Sequence, residues 1–343
     1  MNLTDFDYPT RNQIIAQHPS PVRDESRLMR VGRATGEIRH YRFRDLPSML
    51  DQGSLIVLND SKVIPARIRG MKENGGRAEI LLLHARGPYD WVALYRGKFR
   101  KNLQLKFNGG LNGTLREAYG DGSVLVEFDP ESRPVLEHIQ EYGEVPLPPY
   151  IKRQSDHLRQ EDRESYQTVY ASAPGSVAAP TAGLHFTRGL IERLKGVGME
   201  MVMITLHVGP GTFKGVVSGD IREHRMDPEY YSVSDQTAAA ITRAKRERRK
   251  VIAVGTTAAR VLESVSDPDG TVNPGKGFTS LFIFPGYSFK ILDGLITNFH
   301  LPRTTLLMLV SAFAGREKIL HAYEAAISEE YRFYSYGDAM AIL

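Results

Sequence analysis

The sequence predicts an α/β protein in which a mixed, mostly parallel α/β domain, residues 1–62 and 145–343, is interrupted by a small antiparallel β-barrel domain, residues 63–144. Three observations lead there. The 343 residues exceed the ~250–300 at which a single hydrophobic core stops growing. Strand-like and helix-like runs alternate at short spacing in the C-terminal half. Between Val63 and Phe128 the pattern changes to short alternating runs separated by glycine and asparagine turns.

Taken in order, Leu55 to Leu58 is a strand that suits the α/β part. Barrel strands are expected at Ala78 to Leu83, Trp91 to Tyr95, Leu103 to Phe107, Thr114 to Glu117 and Ser123 to Phe128, punctuated by Asn74-Gly75-Gly76, Gly87-Pro88, Asn108-Gly109-Gly110 and Asp121-Gly122. Val145-Pro146-Leu147-Pro148-Pro149-Tyr150 closes the region, because proline lacks the N–H that a central strand or helix uses. Beyond it, Met199 to Val208 reads as an apolar strand and Ser234 caps a helix running to about Arg249. Val251 to Val254 is a buried strand, Ala258 to Val265 a helix and Phe278 to Phe284 another strand. Two helices, Thr305 to Phe313 and Arg316 to Ser328, end the chain, the second with apolar positions at Ile319, Tyr323, Ala326 and Ile327.

Composition excludes several functions. The absence of cysteine removes disulfides, thiolate zinc sites, iron–sulfur clusters and a cysteine nucleophile, and fits a reducing, cytoplasmic setting. The most apolar stretch, Leu306 to Ala314, is shorter than the ~20 residues a membrane helix needs, and Met1 to Asp7 carries no signal-peptide core. A soluble protein is expected. A net charge of +4 permits a polyanionic partner without demanding one.

Gly175-Ser176-Val177-Ala178-Ala179-Pro180-Thr181-Ala182-Gly183-Leu184-His185-Phe186 is the densest motif. Its small residues and glycines allow a backbone to approach a ligand closely, with Ser176, Thr181 and His185 available for hydrogen bonds or proton transfer. The plainer reading is a tight loop entering a helix, with His185 packed. A second glycine turn, His207-Val208-Gly209-Pro210-Gly211-Thr212-Phe213, follows a strand, and Gly255-Thr256-Thr257 follows Val251 to Val254. Both sit where open α/β sheets bind ligands, beyond the carboxyl ends of strands, and the second opens a helix with free N–H groups. Two such loops can form one crevice; each alone is an ordinary βα turn. Neither matches a dinucleotide or P-loop fingerprint.

Arg243, Lys245, Arg246, Arg248, Arg249 and Lys250 crowd one helix end against the single acid Glu247, a pattern suited to phosphates or simply to a solvated helix terminus. Tyr331-Arg332-Phe333-Tyr334-Ser335-Tyr336 can stack bases or fill a core. His185, His207, His224 and His300 lack metal-ligand spacing, and no metal is expected.

Several of these strings together resemble one family, the S-adenosylmethionine:tRNA ribosyltransferase-isomerases of queuosine biosynthesis. The matching strings are Arg23 to Leu28, Leu58 to Arg67, Gly143 to Ile151, Tyr166 to Tyr170, Gly175 to Thr187, His207 to Phe213, Gly255 to Arg260, Asn298 to Val310 and Tyr331 to Ala339, almost end to end. The family's His-x-Met-His-x-Glu appears as His224-Arg225-Met226-Asp227-Pro228-Glu229, a usual Thr is Leu206 and a usual Ser is Ala258, so no role is carried over at Asp227, Leu206 or Ala258.

The resemblance implies a cytoplasmic enzyme that uses S-adenosylmethionine as ribosyl donor. Its partner would be a tRNA carrying 7-aminomethyl-7-deazaguanine at the wobble position, and its products epoxyqueuosine-tRNA, adenine and methionine. An α/β domain interrupted by a β-barrel is similar to the family's architecture. The sulfonium acidifies the donor's 5′ carbon, so the site needs a base, donors that help adenine leave, and carboxylates or aromatic faces for the cation. His185, His207 and His300, with Thr181, are the expected catalytic groups, and the choice of base among them stays open. Asp24, Ser176, Gly209, Thr212, Gly255, Thr256, Thr257, Arg260 and Glu229 are expected around the donor, with Asp24 or Glu229 on its cationic groups. Arg243, Arg246, Arg248 and Arg249 are expected on the RNA, and a monomer or weak oligomer is expected. A conventional methyltransferase and a non-catalytic tRNA-binding protein are the competing readings.

Overall fold

The computed structural model describes residues 1–9, 14–153, 156–209, 211, 216 and 219–343, the side chains of 156–159 excepted. In chain order the strands are β1 (Arg27–Val31), β2 (Ile38–Arg42), β3 (Leu55–Asn59), β4 (Ser61–Val63), β5 (Arg67–Lys72), β6 (Arg77–Ala85), β7 (Asp90–Tyr95), β8 (Gln104–Phe107), β9 (Asn112–Ala118), β10 (Ser123–Phe128), β11 (Ala173–Ser176), β12 (Glu200–Leu206), β13 (Glu229–Val233), β14 (Val251–Val254), β15 (Gly275–Thr279), β16 (Gly294–Asn298) and β17 (Ala339–Ile342). The helices are α1 (Val135–Tyr142), α2 (Asp156–Ser165), α3 (Arg188–Gly196), α4 (Asp235–Arg246), α5 (Thr256–Val265), α6 (Thr305–Ala314) and α7 (Arg316–Ser328).

The main sheet runs β15-β13-β12-β3-β14-β16-β17-β1-β2. Its centre, β12-β3-β14-β16, is parallel, and antiparallel pairs flank it on both sides. β3, β14 and β16 are buried on both faces, as a sheet covered by helices requires. Leu55 and Val57 of β3 join the core beneath α4 to α7, whereas Ile56 and Leu58 join the core containing α3 residues Leu190 and Leu194. β14 repeats the division, Val251 and Ala253 against Ile252 and Val254.

β5 to β10 form a closed barrel in the order β10-β7-β6-β5-β8-β9, every pair antiparallel. It has its own core, including Ile68, Ile80, Leu82, Trp91, Leu105, Leu115 and Val126. Closure leaves no sheet edge to protect. The chain enters and leaves the barrel side by side: Arg67 N–H donates to Glu144 O at 3.1 Å and Glu144 N–H to Arg67 O at 2.8 Å. The α/β class with a small barrel is thus the fold the sequence predicts.

Local chemistry explains the best-defined boundaries. Ser234 accepts a hydrogen bond from Thr237 N–H at the start of α4. That helix stops at Arg246, short of the expected Arg249, and Arg248 turns to φ +59. Phe278 to Phe284 is a correction. Only Gly275–Thr279 is strand, antiparallel to β13 at the sheet edge with Phe278 exposed, and Leu281 to Phe284 leave the sheet and pack against its core. The fourth parallel strand of the centre is instead β16.

Candidate active site

Three segments converge beyond the carboxyl ends of β14 and β16. β14 turns directly into α5 through Gly255, whose φ of +90° favours glycine. No side chain caps α5, so its first-turn N–H groups are left for a ligand. Asn59, at the end of β3, braces this corner: its Nδ2 donates to Leu206 O at 3.0 Å and to Thr257 Oγ1 at 3.3 Å. The loop after β11 is stapled to β12 by Ser176, whose Oγ accepts from Val208 N–H at 2.9 Å and donates to Ala178 O at 2.7 Å.

The resulting crevice is narrow, about 70 Å³, and opens to solvent. One wall is Ala178 to Ala182 with Gly255, Thr256 and Thr257; another is Thr297 to Leu301; Tyr150, Tyr166, Tyr334 and Ser335 close it. Tyr150 and Ser335 hydroxyls bond at 2.6 Å, and the Tyr150 and Tyr334 rings lie 5.1 Å apart. Among the described lining residues none is Asp, Glu, Lys or Arg. Burial pushes the Tyr150 hydroxyl up to about 12 and holds His300 down to about 3, so that imidazole is neutral at physiological pH. His300 Nε2 lies 2.8 Å from Thr297 Oγ1, its backbone N–H donates to Tyr323 Oη, and its carbonyl accepts from the Tyr8 hydroxyl.

Of the three expected catalytic histidines, the lining includes only His300, together with Thr181. His185 lies in the core behind the wall. Its ring stacks on Phe43 at 4.9 Å, Nδ1 is 2.7 Å from Ser26 Oγ, and Nε2 is 3.2 Å from Asn298 Nδ2. Burial lowers it to about 4. His207 stacks on Tyr230 at 5.5 Å, beside Ser61 Oγ at 3.3 Å and outside the lining; burial lowers it too, against the opposing charge of Asp60.

The two glycines of the dense motif accommodate protein, not ligand. A Cβ on Gly183 would meet the Tyr170 hydroxyl at 2.0 Å, and one on Gly175 would meet His207 Nε2 at 2.8 Å. Spacing alone does not distinguish such a neighbour from a substrate.

The expected donor-binding residues divide in the same way. Gly255, Thr256 and Thr257 line the crevice. Ser176 is fully buried, with its hydroxyl committed to the loop staple. Arg260 and Glu229 form a buried ion pair; Glu229 Oε1 accepts from Gly209 N–H at 2.9 Å, and Arg260 Nε donates to Leu281 O at 3.0 Å. This pair anchors the second glycine turn and is absent from the lining. Asp24 accepts from Thr187 Oγ1 at 3.1 Å near the start of α3, also outside the crevice. Thr212 lies outside the described residues. Asn298, a lining residue, was not singled out by the sequence reading; its place two residues before His300 in a matched string was the available signal.

The basic cluster is not brought to the crevice. It precedes β14, at the amino ends of the strands, whereas the crevice is beyond their carboxyl ends. Arg243 and Arg249 each pair with Glu200 at 2.8 Å, and Lys245 pairs with Asp293 at 2.9 Å. Arg246, Arg248 and Lys250 are exposed and outside these pairs. Reversing Arg246, Arg248 and Arg249 together is expected to weaken tRNA binding and reduce the log–log slope of its salt dependence by ~0.7–0.9 per lost contact, and an unchanged slope would assign the cluster to a solvated helix end.

An α/β sheet interrupted by a closed barrel, with an aromatic crevice at its strand ends that has no Asp, Glu, Lys or Arg among its described lining residues, has the form of a small-molecule site. The family described as "Queuosine biosynthesis protein" matches residues 3–342. The chain is 51% identical to the S-adenosylmethionine:tRNA ribosyltransferase-isomerase of Carboxydothermus hydrogenoformans over 100% of both chains. It is also 51% identical to that of Desulfitobacterium hafniense, again over 100% of both. The crystal structure of the S-adenosylmethionine tRNA ribosyltransferase from Thermotoga maritima is similar at 35% identity and a TM-score of 0.56, covering 99% of this chain and 100% of that one. The chain belongs to the queuosine biosynthesis protein family.

Proposed function

We propose that the protein transfers and isomerises the ribosyl moiety of S-adenosylmethionine onto the aminomethyl group of 7-aminomethyl-7-deazaguanine at a tRNA wobble position, giving epoxyqueuosine-tRNA, adenine and methionine. The observation that carries this reading is the crevice built from the family-matched strings at the strand ends, in a chain matched end to end by relatives of that name. Its chemistry supports a sulfonium donor. With no carboxylate among the described lining residues, the faces of Tyr150, Tyr166 and Tyr334 are the groups that favour the cation. The first turn of α5 suits the donor's carboxylate, and Thr181, Thr256 and Thr257 supply orienting hydroxyls.

His300 is the proposed base, as the one imidazole among the described lining residues. Removal of the 5′ proton beside the sulfonium starts expulsion of adenine. The substrate amine then attacks the sugar, and methionine leaves as the epoxide closes.

Purified protein, donor and aminomethyl-deazaguanine tRNA should yield adenine and methionine by mass spectrometry, and neither without the modified tRNA. Chelator should not alter the rate; activity lost to chelator and restored by metal would refute that part. Among the described residues no group of His, Cys, Asp or Glu is arranged to hold a metal, and no helix is long and apolar enough to cross a membrane. A methylated RNA with S-adenosylhomocysteine would identify a methyltransferase instead.

A further inference from the structure

Two lining residues carry a buried polar atom without a hydrogen-bond partner, the Tyr166 hydroxyl and Asn298 Oδ1, and of the two only Asn298 Oδ1 is solely an acceptor, on a residue 2% exposed. An orphaned carbonyl oxygen of this kind carries an uncompensated desolvation cost unless something meets it. The side chain cannot escape by flipping. Its nitrogen lies 3.1 Å from the Tyr334 carbonyl, which only accepts, so the amide group must present N–H there and oxygen on the other side. The second N–H points at His185 Nε2, 3.2 Å away. That makes Nε2 the acceptor and Nδ1–H the donor to Ser26 Oγ, whose own hydroxyl donates to Arg23 O at 3.1 Å. Each donor in the chain Ser26, His185, Asn298 is used once, and the chain ends in an unused acceptor. The anchor is rigid. Asn298 is paired to Ala339 within the sheet, and Tyr334 is held at φ +71°, a strained conformation for a bulky residue.

We propose that Asn298 Oδ1 accepts a hydrogen bond from an N–H on the edge of a purine-like base bound in the crevice, with Ser26 and His185 as positioning residues that fix the amide; the proposal rests on the function given above. A neutral N–H suits a neutral acceptor: an ammonium would lack an anionic partner among the described lining residues. Ala178, Ala179, Pro180 and Phe299 offer apolar surface for a flat ring. Two bases in the reaction carry such an edge, the donor's adenine with its 6-amino group and the target deazaguanine with its 2-amino group.

Calorimetric titration of the wild-type protein with S-adenosylmethionine and its 6-desamino analogue tests the first source. Titration with anticodon stem-loop RNA carrying 7-aminomethyl-7-deazaguanine or its 2-desamino analogue tests the second. One pair is expected to differ by on the order of tenfold to hundredfold, and Asn298→Ala should bind both members of that pair alike. The wild-type comparison needs no variant to fold. Tight binding without discrimination in either pair overturns the assignment, as does full discrimination retained by Asn298→Ala. Wild-type protein that binds neither ligand overturns the proposed function itself, a distinguishable pattern.

Discussion

Glu229→Gln is expected to lose about 3–5 kcal/mol of stability, because it leaves the Arg260 guanidinium buried without its counter-charge. Both side chains are about 5% exposed, 5% for Arg260 and 6% for Glu229. Arg260 Nη2 already lacks a hydrogen-bond partner, so the cation has little in reserve. Arg260→Met should also be destabilising, by removing the buried counter-charge that Arg260 gives Glu229. Combining the two should cost less than the sum, since the double variant buries no lone charge. Urea denaturation of the three variants decides it: a single variant within about 1 kcal/mol of wild type would mean that the pair is solvated or dispensable. The damage should also reach the crevice rim, because Glu229 holds the Gly209 turn next to Val208.

His185→Ala is expected to cost about 2–4 kcal/mol through the lost stack on Phe43 and two unsatisfied partners. Its fold-corrected single-turnover rate should stay within about tenfold of wild type, whereas a proton-transferring histidine would lose ~10²–10⁴. A stably folded variant with the larger loss would return His185 to the chemistry. The pH dependence gives a second readout. With a folded value of about 4 against an ordinary 6.5, the unfolded chain takes up the proton first. The neutral ring's contribution is therefore complete above pH 6.5 and is lost as pH falls towards 4, on the order of 3 kcal/mol. His185→Gln should reduce the dependence over that window, leaving the slope due to the other lowered histidines, His300 and His207 among them, which has the same sign.

Local signals were legible wherever the responsible atoms are close in sequence. The Ser234 cap, the four apolar residues of β14 and the bounds of α7 depend on neighbours within a turn or on one periodicity. β16 and β17 were missed because five and four buried residues carry no period that separates strand from loop, and β17 pairs with β1 from the far end of the chain. The barrel was legible from its turns, but β5 was hidden by Arg67, Arg69 and Lys72, whose charged ends alternate with a single fully apolar inward position at Ile68. At the crevice, the sequence pointed to loops that line it and not to which side of each loop faces it. Gly183 and Ser176 serve Tyr170 and Val208, and only the fold reveals that.

The doubled hydrogen bond between Arg67 and Glu144 has a mechanical consequence. It pins the barrel's two stems together at one place. Beyond it lies Val145-Pro146-Leu147-Pro148-Pro149, a turned segment in which Leu147 N–H donates to Val145 O at 2.9 Å, and it ends at Tyr150, a wall of the crevice. The barrel is thus tethered through these few residues to an aromatic face of the pocket.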